Sequence, residues 1–259
     1  MSKPIYETQV DQLPVSIFES NQDLGETAAQ EASLIIQQAI RERGIANVIL
    51  ATGNSQLTFL TALRADKNVE WDKVNVFHMD EYIGIDSNHP ASFPFFLRKH
   101  FLRYVNTKSF YPVSGDAKTI EATIADYAHH LRNNPADLCA CGYGENGHLA
   151  FNDPPFADFD DPVLAKVVKL AEASRKQQVG EGHFKTLADV PTHAITLTIP
   201  ALLGAKRVLC MVPEARKADA VFAALKKPIS EDCPGSRLRQ MPHAHLFLDK
   251  DSAAKTWQV

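Results

Sequence analysis

The run Asp137-Leu138-Cys139-Ala140-Cys141 leads straight into Gly142-Tyr143-Gly144-Glu145-Asn146-Gly147-His148-Leu149-Ala150-Phe151-Asn152-Asp153-Pro154. Its first part is short, apolar and uninterrupted, which predicts a buried strand. Three glycines then fall within six residues, so the backbone turns sharply or comes close to something. The loop places an imidazole, His148, five residues ahead of a carboxylate, Asp153. In open α/β sheets the crevice outside the carboxyl ends of the strands is where ligands bind. A glycine-rich loop with a surface histidine would look the same, so the other loops decide the reading.

Upstream, residues 22–43 carry apolar positions at three- and four-residue steps (Leu24, Ala28, Ala32, Leu34, Ile35, Ile36, Ala39, Ile40) and predict an amphipathic helix capped by Gly44. Asn47-Val48-Ile49-Leu50-Ala51 predicts a strand that runs into Thr52-Gly53-Asn54-Ser55-Gln56, and Leu57, Leu60 and Leu63 predict a helix beginning there. Strand, small-residue loop and helix N-terminus together make an anion site. The loop lacks the second glycine and Gly-Lys-Ser/Thr ending of a P-loop and does not fit G-x-G-x-x-G. A plain helix cap by Thr52 or Ser55 is the simpler alternative. Val74–Met79 alternates like a strand and delivers Asp80-Glu81-Tyr82 to a loop at its C-terminal end. Adjacent acids there divide labour, one toward a ligand and one toward structure, and Asp80 is the candidate base.

A helix with Phe95, Phe96, Leu97 and Phe101 on its packing face is expected after Ala91-Ser92-Phe93, and another over residues 119–132. Residues 154–162 read as irregular. Residues 160–190, broken by Gly180-Glu181-Gly182, are a candidate lid. Ala194–Ile199, closed by Pro200, and Arg207–Val212 predict strands. Lys217 then stands just beyond a strand near a helix N-terminus, where a phosphate counter-charge belongs. His245–Asp249 predicts the last strand. His243 and His245 lack a third ligand, so no metal is expected. Alternating strands and helices, without repeats or linkers, predict a single α/β domain over residues 1–259, doubly wound around a mainly parallel sheet with helices on both faces.

Composition agrees with such a domain. The 259 residues are 45% hydrophobic and 22% charged, with formal net charge −4 and no run of like charge. Neither nucleic acid nor an anionic membrane is expected as partner. Met1-Ser2-Lys3-Pro4-Ile5-Tyr6 shows no apolar signal region, no stretch is long enough to span a bilayer, and a cytoplasmic location is expected. Cys139, Cys141 and Cys210 read as buried small hydrophobes and Cys233 as a loop thiol.

In the order Ala51-Thr52-Gly53, Phe77-His78-Met79-Asp80-Glu81-Tyr82, Gly142 through Pro154, Ile195-Thr196-Leu197, Leu202-Leu203 and Lys217-Ala218, the chain resembles the glucosamine-6-phosphate deaminases, in the group that includes 6-phosphogluconolactonases. The resemblance covers nearly the whole chain. Asp-Glu-Tyr followed by Gly-His-x-Ala-Phe-Asn favours deaminases over lactonases. It implies a Rossmann-like fold of the sugar-phosphate isomerase type and a cofactor-independent hydrolase that deaminates an amino-sugar phosphate. Glucosamine 6-phosphate and water would give fructose 6-phosphate and ammonium. His148 would open the pyranose ring, as suits an imidazole with an ordinary pKa of about 6.5. Asp80 would take the C2 proton, and Asn146 and Asp153 would orient the histidine. Thr52, Gly53, Asn54, Ser55, Gly142 and Lys217 would hold substrate and phosphate.

The chain departs from the family pattern at Asp153, usually Glu, and at Asn54-Ser55-Gln56, usually Gly-Thr-Pro. The usual lid arginine has no counterpart, and Lys185 or His183 is expected to replace it. The resemblance leaves open a related amino-sugar phosphate, a lactonase, a non-catalytic sugar-phosphate sensor, and either a monomer or a homo-oligomer.

Overall fold

The computed structural model describes residues 2–154 and 156–257. The chain opens with a hairpin of β1 (Tyr6–Val10) and β2 (Leu13–Phe18), followed by α1 (Asn21–Arg43), β3 (Ala46–Leu50) and α2 (Leu57–Ala65). Next come β4 (Val74–His78), β5 (Asp80–Tyr82), α3 (Phe93–His100), β6 (Ser109–Tyr111), α4 (Ile120–Asn133) and β7 (Leu138–Cys141). Then follow β8 (Ala165–Lys169), α5 (Glu172–Gly180), β9 (His193–Leu197) and α6 (Ile199–Leu203). The chain closes with β10 (Arg207–Val212), α7 (Ala218–Lys226), β11 (Ala244–Asp249) and α8 (Lys250–Ala253).

Eight strands form one sheet in the order β1-β2-β11-β10-β7-β3-β4-β6, parallel throughout except for the β1–β2 hairpin. The inner strands are buried on both faces, which explains their unbroken apolar runs. Side chains alternate between two cores, as a period of two requires. Val48, Leu50, Leu138, Ala140 and Met211 pack against α1, α2 and α3 through Leu24, Ile36, Phe59, Leu63 and Leu97. Ile49, Cys139, Cys141, Cys210 and Val212 face Tyr127 and Leu131 of α4 and Val221 and Leu225 of α7. The long helix α1 is fixed at both ends: the Ser20 hydroxyl accepts from the Asp23 N–H, and Gly44, with φ 76°, closes it in the left-handed region.

Several elements differ from the sequence expectation. Asp80–Tyr82 is not a loop but β5, and Ala194–Leu197 does not join the parallel sheet. Both enter a second, antiparallel sheet in the order β5-β9-β8, with Asp80 opposite Thr196 and Val167 opposite Ile195. Pro200 does not end that strand; it sits in the first turn of α6, which the Thr198 hydroxyl caps. Residues 163–190 contain β8 and α5, joined to the small sheet by a third core of Tyr82, Phe151, Val168, Leu170, Phe184 and Val190. Cys233, read as a loop thiol, does lie in a loop but is as buried as a core residue, with its Sγ against Gly147.

The two sheets meet where Gly115 crosses β5. A Cβ on Gly115 would lie 1.8 Å from the Tyr82 carbonyl oxygen, a backbone atom that cannot swing away. We therefore expect Gly115→Ala to destabilise the protein by about 2 kcal/mol, the ordinary cost of overpacking. Urea unfolding checks this, and an unchanged midpoint would refute the close approach.

Candidate active site

A cleft opens above the carboxyl ends of β3, β7 and β10. Its atom-free space, about 840 Å³, is partly open solvent. Of the residues singled out from sequence, Thr52, Gly53, Asn54, Ser55, Asp80, Gly142, His148 and Lys217 all line it. Asn146 and Asp153 do not reach the cleft and stand behind His148.

The loop after β3 reaches α2 through a short 3-10 turn, Asn54–Gln56, entered by Gly53 at φ 102°. Only glycine adopts that backbone readily, and the first N–H groups of such a turn have no acceptor within it. Opposite, β10 ends in the turn Ala215–Lys217, which leads into α7. Its entry residue Glu214 has φ 84°, strained for a side-chain-bearing residue. The Asp249 carboxylate holds it there by accepting the Glu214 N–H at 3.0 and 3.1 Å. Lys217 is thereby buried, 3% exposed, and its ammonium makes no hydrogen bond or ion pair among the described residues. Burial, and then the neighbouring Arg216, lower its pKa from the usual lysine value. Buried cations are normally paired, so this one points to an anion supplied by the ligand.

Asp80 and Glu81 lie on opposite faces of β5, and the two acids divide as expected. Glu81 turns inward, accepting from the Ser92 hydroxyl at 2.6 Å and the Tyr82 N–H at 2.8 Å. Asp80 turns into the cleft, and its carboxylate has no hydrogen-bond partner among the described residues. Burial, reinforced by the Glu81 charge, pushes Asp80 well above the usual carboxylate range. Burial likewise raises Glu81 to about 7, against the bonds from Ser92, Tyr82 and Phe93.

His148 packs so tightly on the central loop that a Cβ on Gly144 would sit 2.0 Å from its ring. Its Nδ1 faces Asn146 Oδ1 at 2.7 Å and Asp153 Oδ1 at 3.0 Å. Asn146 Nδ2 donates to the same Asp153 oxygen at 2.8 Å. With Nδ1 directed at two acceptors, Nε2 is the ring nitrogen left for chemistry. Burial alone would raise the Asp153 pKa, but the His148 charge and the bonds from His148, Ser174 and Asn146 outweigh it and bring the value to about 2. The shorter carboxylate of Asp153 thus reaches the imidazole.

Within the segment read as a candidate lid, sequence reasoning singled out His183 but missed Gln177, Gln178 and Glu181. All four line the cleft, and the three missed, polar and without periodicity or motif, gave no signal. Of the two proposed substitutes for a lid arginine, His183 faces the cleft, whereas exposed Lys185 does not. Arg175 is on α5 but donates to the Leu187 and Val190 carbonyls instead. Gln56 was also missed; it is buried at the cleft with Oε1 unpartnered. His243 and His245 lie elsewhere, bonded to the Leu203 carbonyl and to Glu31 and Ser16.

A sugar-phosphate isomerase fold with a carboxylate, a held imidazole and a buried lysine around one cleft defines the class. The sequence matches the family described as Glucosamine-6-phosphate isomerases/6-phosphogluconolactonase over residues 19–247, and the chain belongs to that family. It is 31% identical over 227 residues to the glucosamine-6-phosphate deaminase of Bacillus cereus (strain G9842), covering 88% of this chain and 84% of that one. The solved structure of a monomeric glucosamine-6-phosphate deaminase superposes with a TM-score of 0.85 at 27% identity, covering 93% and 99% of the two chains. A 6-phosphogluconolactonase from Shewanella baltica OS155 shares the fold at TM-score 0.76 and 19% identity, over 93% of this chain and all of the other.

The raised Glu81 pKa has a stability consequence whose sign is definite. A carboxyl group with a higher pKa folded than unfolded stabilises the fold below its unfolded value, and that contribution is lost as pH rises through the folded value. From the ordinary 4.5 to about 7, this amounts to about 3 kcal/mol. Glu81→Gln is expected to gain stability relative to wild type by about that amount between pH 4.5 and 8. Urea unfolding of both proteins across that range measures it. A difference that stays constant with pH would contradict the assignment.

Proposed function

We propose that the chain converts glucosamine 6-phosphate and water to fructose 6-phosphate and ammonium. The observation that carries this reading is the pairing, in one cleft, of an unpartnered carboxylate and a held imidazole with an unpaired buried lysine. Lys217 and the Thr52–Ser55 loop take the phosphate, the lysine by charge and the loop by its N–H groups. Gly142 has no side chain to fill the space: a Cβ there would meet the Met211 carbonyl at 2.8 Å and Gln56 Nε2 at 2.9 Å.

His148 moves the proton from the anomeric hydroxyl to the ring oxygen, opening the pyranose to the aldehyde. Asp80 then removes the proton from C2, and the electron pair forms the C1–C2 double bond of an enolamine as the aldehyde oxygen is protonated. Return of a proton to C1 leaves an imine at C2. Water adds to that imine, ammonia departs, and the ketone of fructose 6-phosphate remains. A carboxyl group raised by burial is a stronger base once ionised than an exposed one. The ammonium that the substrate brings beside Asp80 favours that ionised form. Within residues 1–259, read as one deaminase-like domain, the segment around 160–190 serves as the lid over bound substrate.

Asp80→Asn and His148→Gln are expected to abolish ammonium release while leaving the unfolding midpoint close to wild type. Lys217→Ala is expected to raise KM for the phosphosugar about 10-fold or more, the loss of a charge-assisted contact. Coupled assays of ammonium and fructose 6-phosphate test all three. Full turnover by either of the first two variants would sink the assigned roles. Hydrolysis of 6-phosphogluconolactone without ammonium release from the amino sugar would establish the lactonase alternative instead.

A further inference from the structure

We infer that Ser174 is a positioning residue for His148, acting through Asp153, and that through it the docked position of α5 reaches the imidazole. The kinetic part of this inference rests on the deaminase reading; the geometric part does not. Ser174 lies in the first turn of α5 and is 3% exposed. Its hydroxyl donates to Asp153 Oδ1 at 2.6 Å and lies 3.4 Å from His148 Nδ1. The same carboxylate oxygen receives Asn146 Nδ2 at 2.8 Å and faces His148 Nδ1 at 3.0 Å, whereas Asp153 Oδ2 is buried without a partner.

All the orienting bonds of this carboxylate therefore pass through one oxygen. A carboxylate anchored so is free to turn about its last bond unless its donors hold it. Asn146 and His148 belong to the same loop as Asp153 and move with it. Among the described residues Ser174 is the one donor to this carboxylate from another element. Removing its hydroxyl lets the carboxylate turn away and weakens one of the two acceptors, Asp153 beside Asn146 Oδ1, that keep the proton on Nδ1. Nε2 then loses its fixed role toward the cleft.

The far end of the same segment is also tied to the site. Glu181 accepts from Arg216 at 2.7 Å, and Arg216 also bonds Glu145 of the central loop at 3.0 Å and Glu214 at 2.6 Å. Burial works against the Glu181 charge, but the bonds from His183, Arg216 and Gln177 hold its pKa at about 2. The segment is thus pinned beside Lys217 at one end and to the histidine cluster at the other. When α5 is docked, both halves of the cleft are set together.

The test compares full-length wild type with Ser174→Ala and Ser174→Thr. In 15N-histidine spectra, with the His148 signals assigned by their loss in His148→Gln, wild type should show the Nδ1–H tautomer. Ser174→Ala should show a mixture of both tautomers, and Ser174→Thr should restore the single form. For glucosamine 6-phosphate, kcat should fall about 10-fold in Ser174→Ala with KM within about twofold, the scale of a small loss of alignment. In an Asp153→Asn background, removing the hydroxyl should cost less than about twofold more, because the two residues act as one unit. Unchanged ring shifts with full kcat in Ser174→Ala overturn the inference, as do losses that multiply in the double variant. The Asp153→Asn cycle decides the question if Ser174→Thr does not fold. If wild type releases no ammonium, the deaminase reading fails, and the ring shifts alone decide the role of Ser174.

Discussion

The site depends on one constraint of topology. From β3 the chain winds outward through β4 to β6, and then returns so that β7 pairs with β3 on its other side and β10 and β11 extend the sheet away from it, flanked by β2 from earlier in the chain. Two neighbouring parallel strands whose connections leave in opposite directions have a crevice between their carboxyl ends. The register fixes its depth: Leu50 stands opposite Ala140, and Cys141 opposite Cys210. The loops after β3, β7 and β10 thus leave the sheet at nearly one level. No motif has to specify that the anion loop, the histidine loop and the lysine turn share a cleft, because the ladder does.

Each loop is then stiffened by a different device. Gly53 provides a backbone angle other residues avoid, and Asp249 holds the strained Glu214 by its N–H. The central loop closes on itself through the Gly144 N–H, which donates to the His148 carbonyl at 2.9 Å, and is tied to β9 by the Phe151 N–H, which donates to the Thr196 hydroxyl at 3.1 Å. Ala150, at φ 50°, lies in that loop. Among the described residues the positive-φ positions other than glycine are Asp11, in the hairpin turn, Ala150, which lines the cleft, and Glu214, at the entry of the turn that carries Lys217. Strain of this kind costs of order 1–3 kcal/mol and persists where the surroundings over-determine it. Here the surroundings are buried strands on both sides.

This division also explains what was legible in the sequence. Strands β3, β4, β7, β10 and β11 were readable because burial on both faces leaves continuous runs such as Val208-Leu209-Cys210-Met211-Val212, and α1 because its caps and periodicity agree. The His148 loop and Lys217 were readable because glycine and a titratable group at a strand end are local signals. The small sheet was not. β5 has three residues and takes its partners from β9, more than a hundred positions away, and nothing local distinguishes such a strand from a loop. The hairpin of β1 and β2 escaped for a related reason: β1 is largely exposed at the sheet edge, and its residues carry no apolar alternation. Ser174 escaped altogether, since a buried serine is defined by what it touches.

The small sheet has a purpose in positioning that its size conceals. A lone loop after β4 would leave Asp80 on flexible backbone with its carboxylate free to reach water. Pairing of Asp80–Tyr82 with Ala194–Thr196 fixes the alternation instead, so that Asp80 must face the cleft when Glu81 faces Ser92. Tyr82, on the next position, then packs beside Phe93, Phe151 and Phe184, and that aromatic cluster is the floor on which residues 170–190 rest. The carboxylate is therefore raised in pKa by the same burial that anchors residues 170–190. A substitution that loosened the aromatic cluster would hydrate Asp80 and undock α5 together. The raised Asp80 carboxyl and the placement of residues 170–190 at the cleft are two consequences of one packing arrangement.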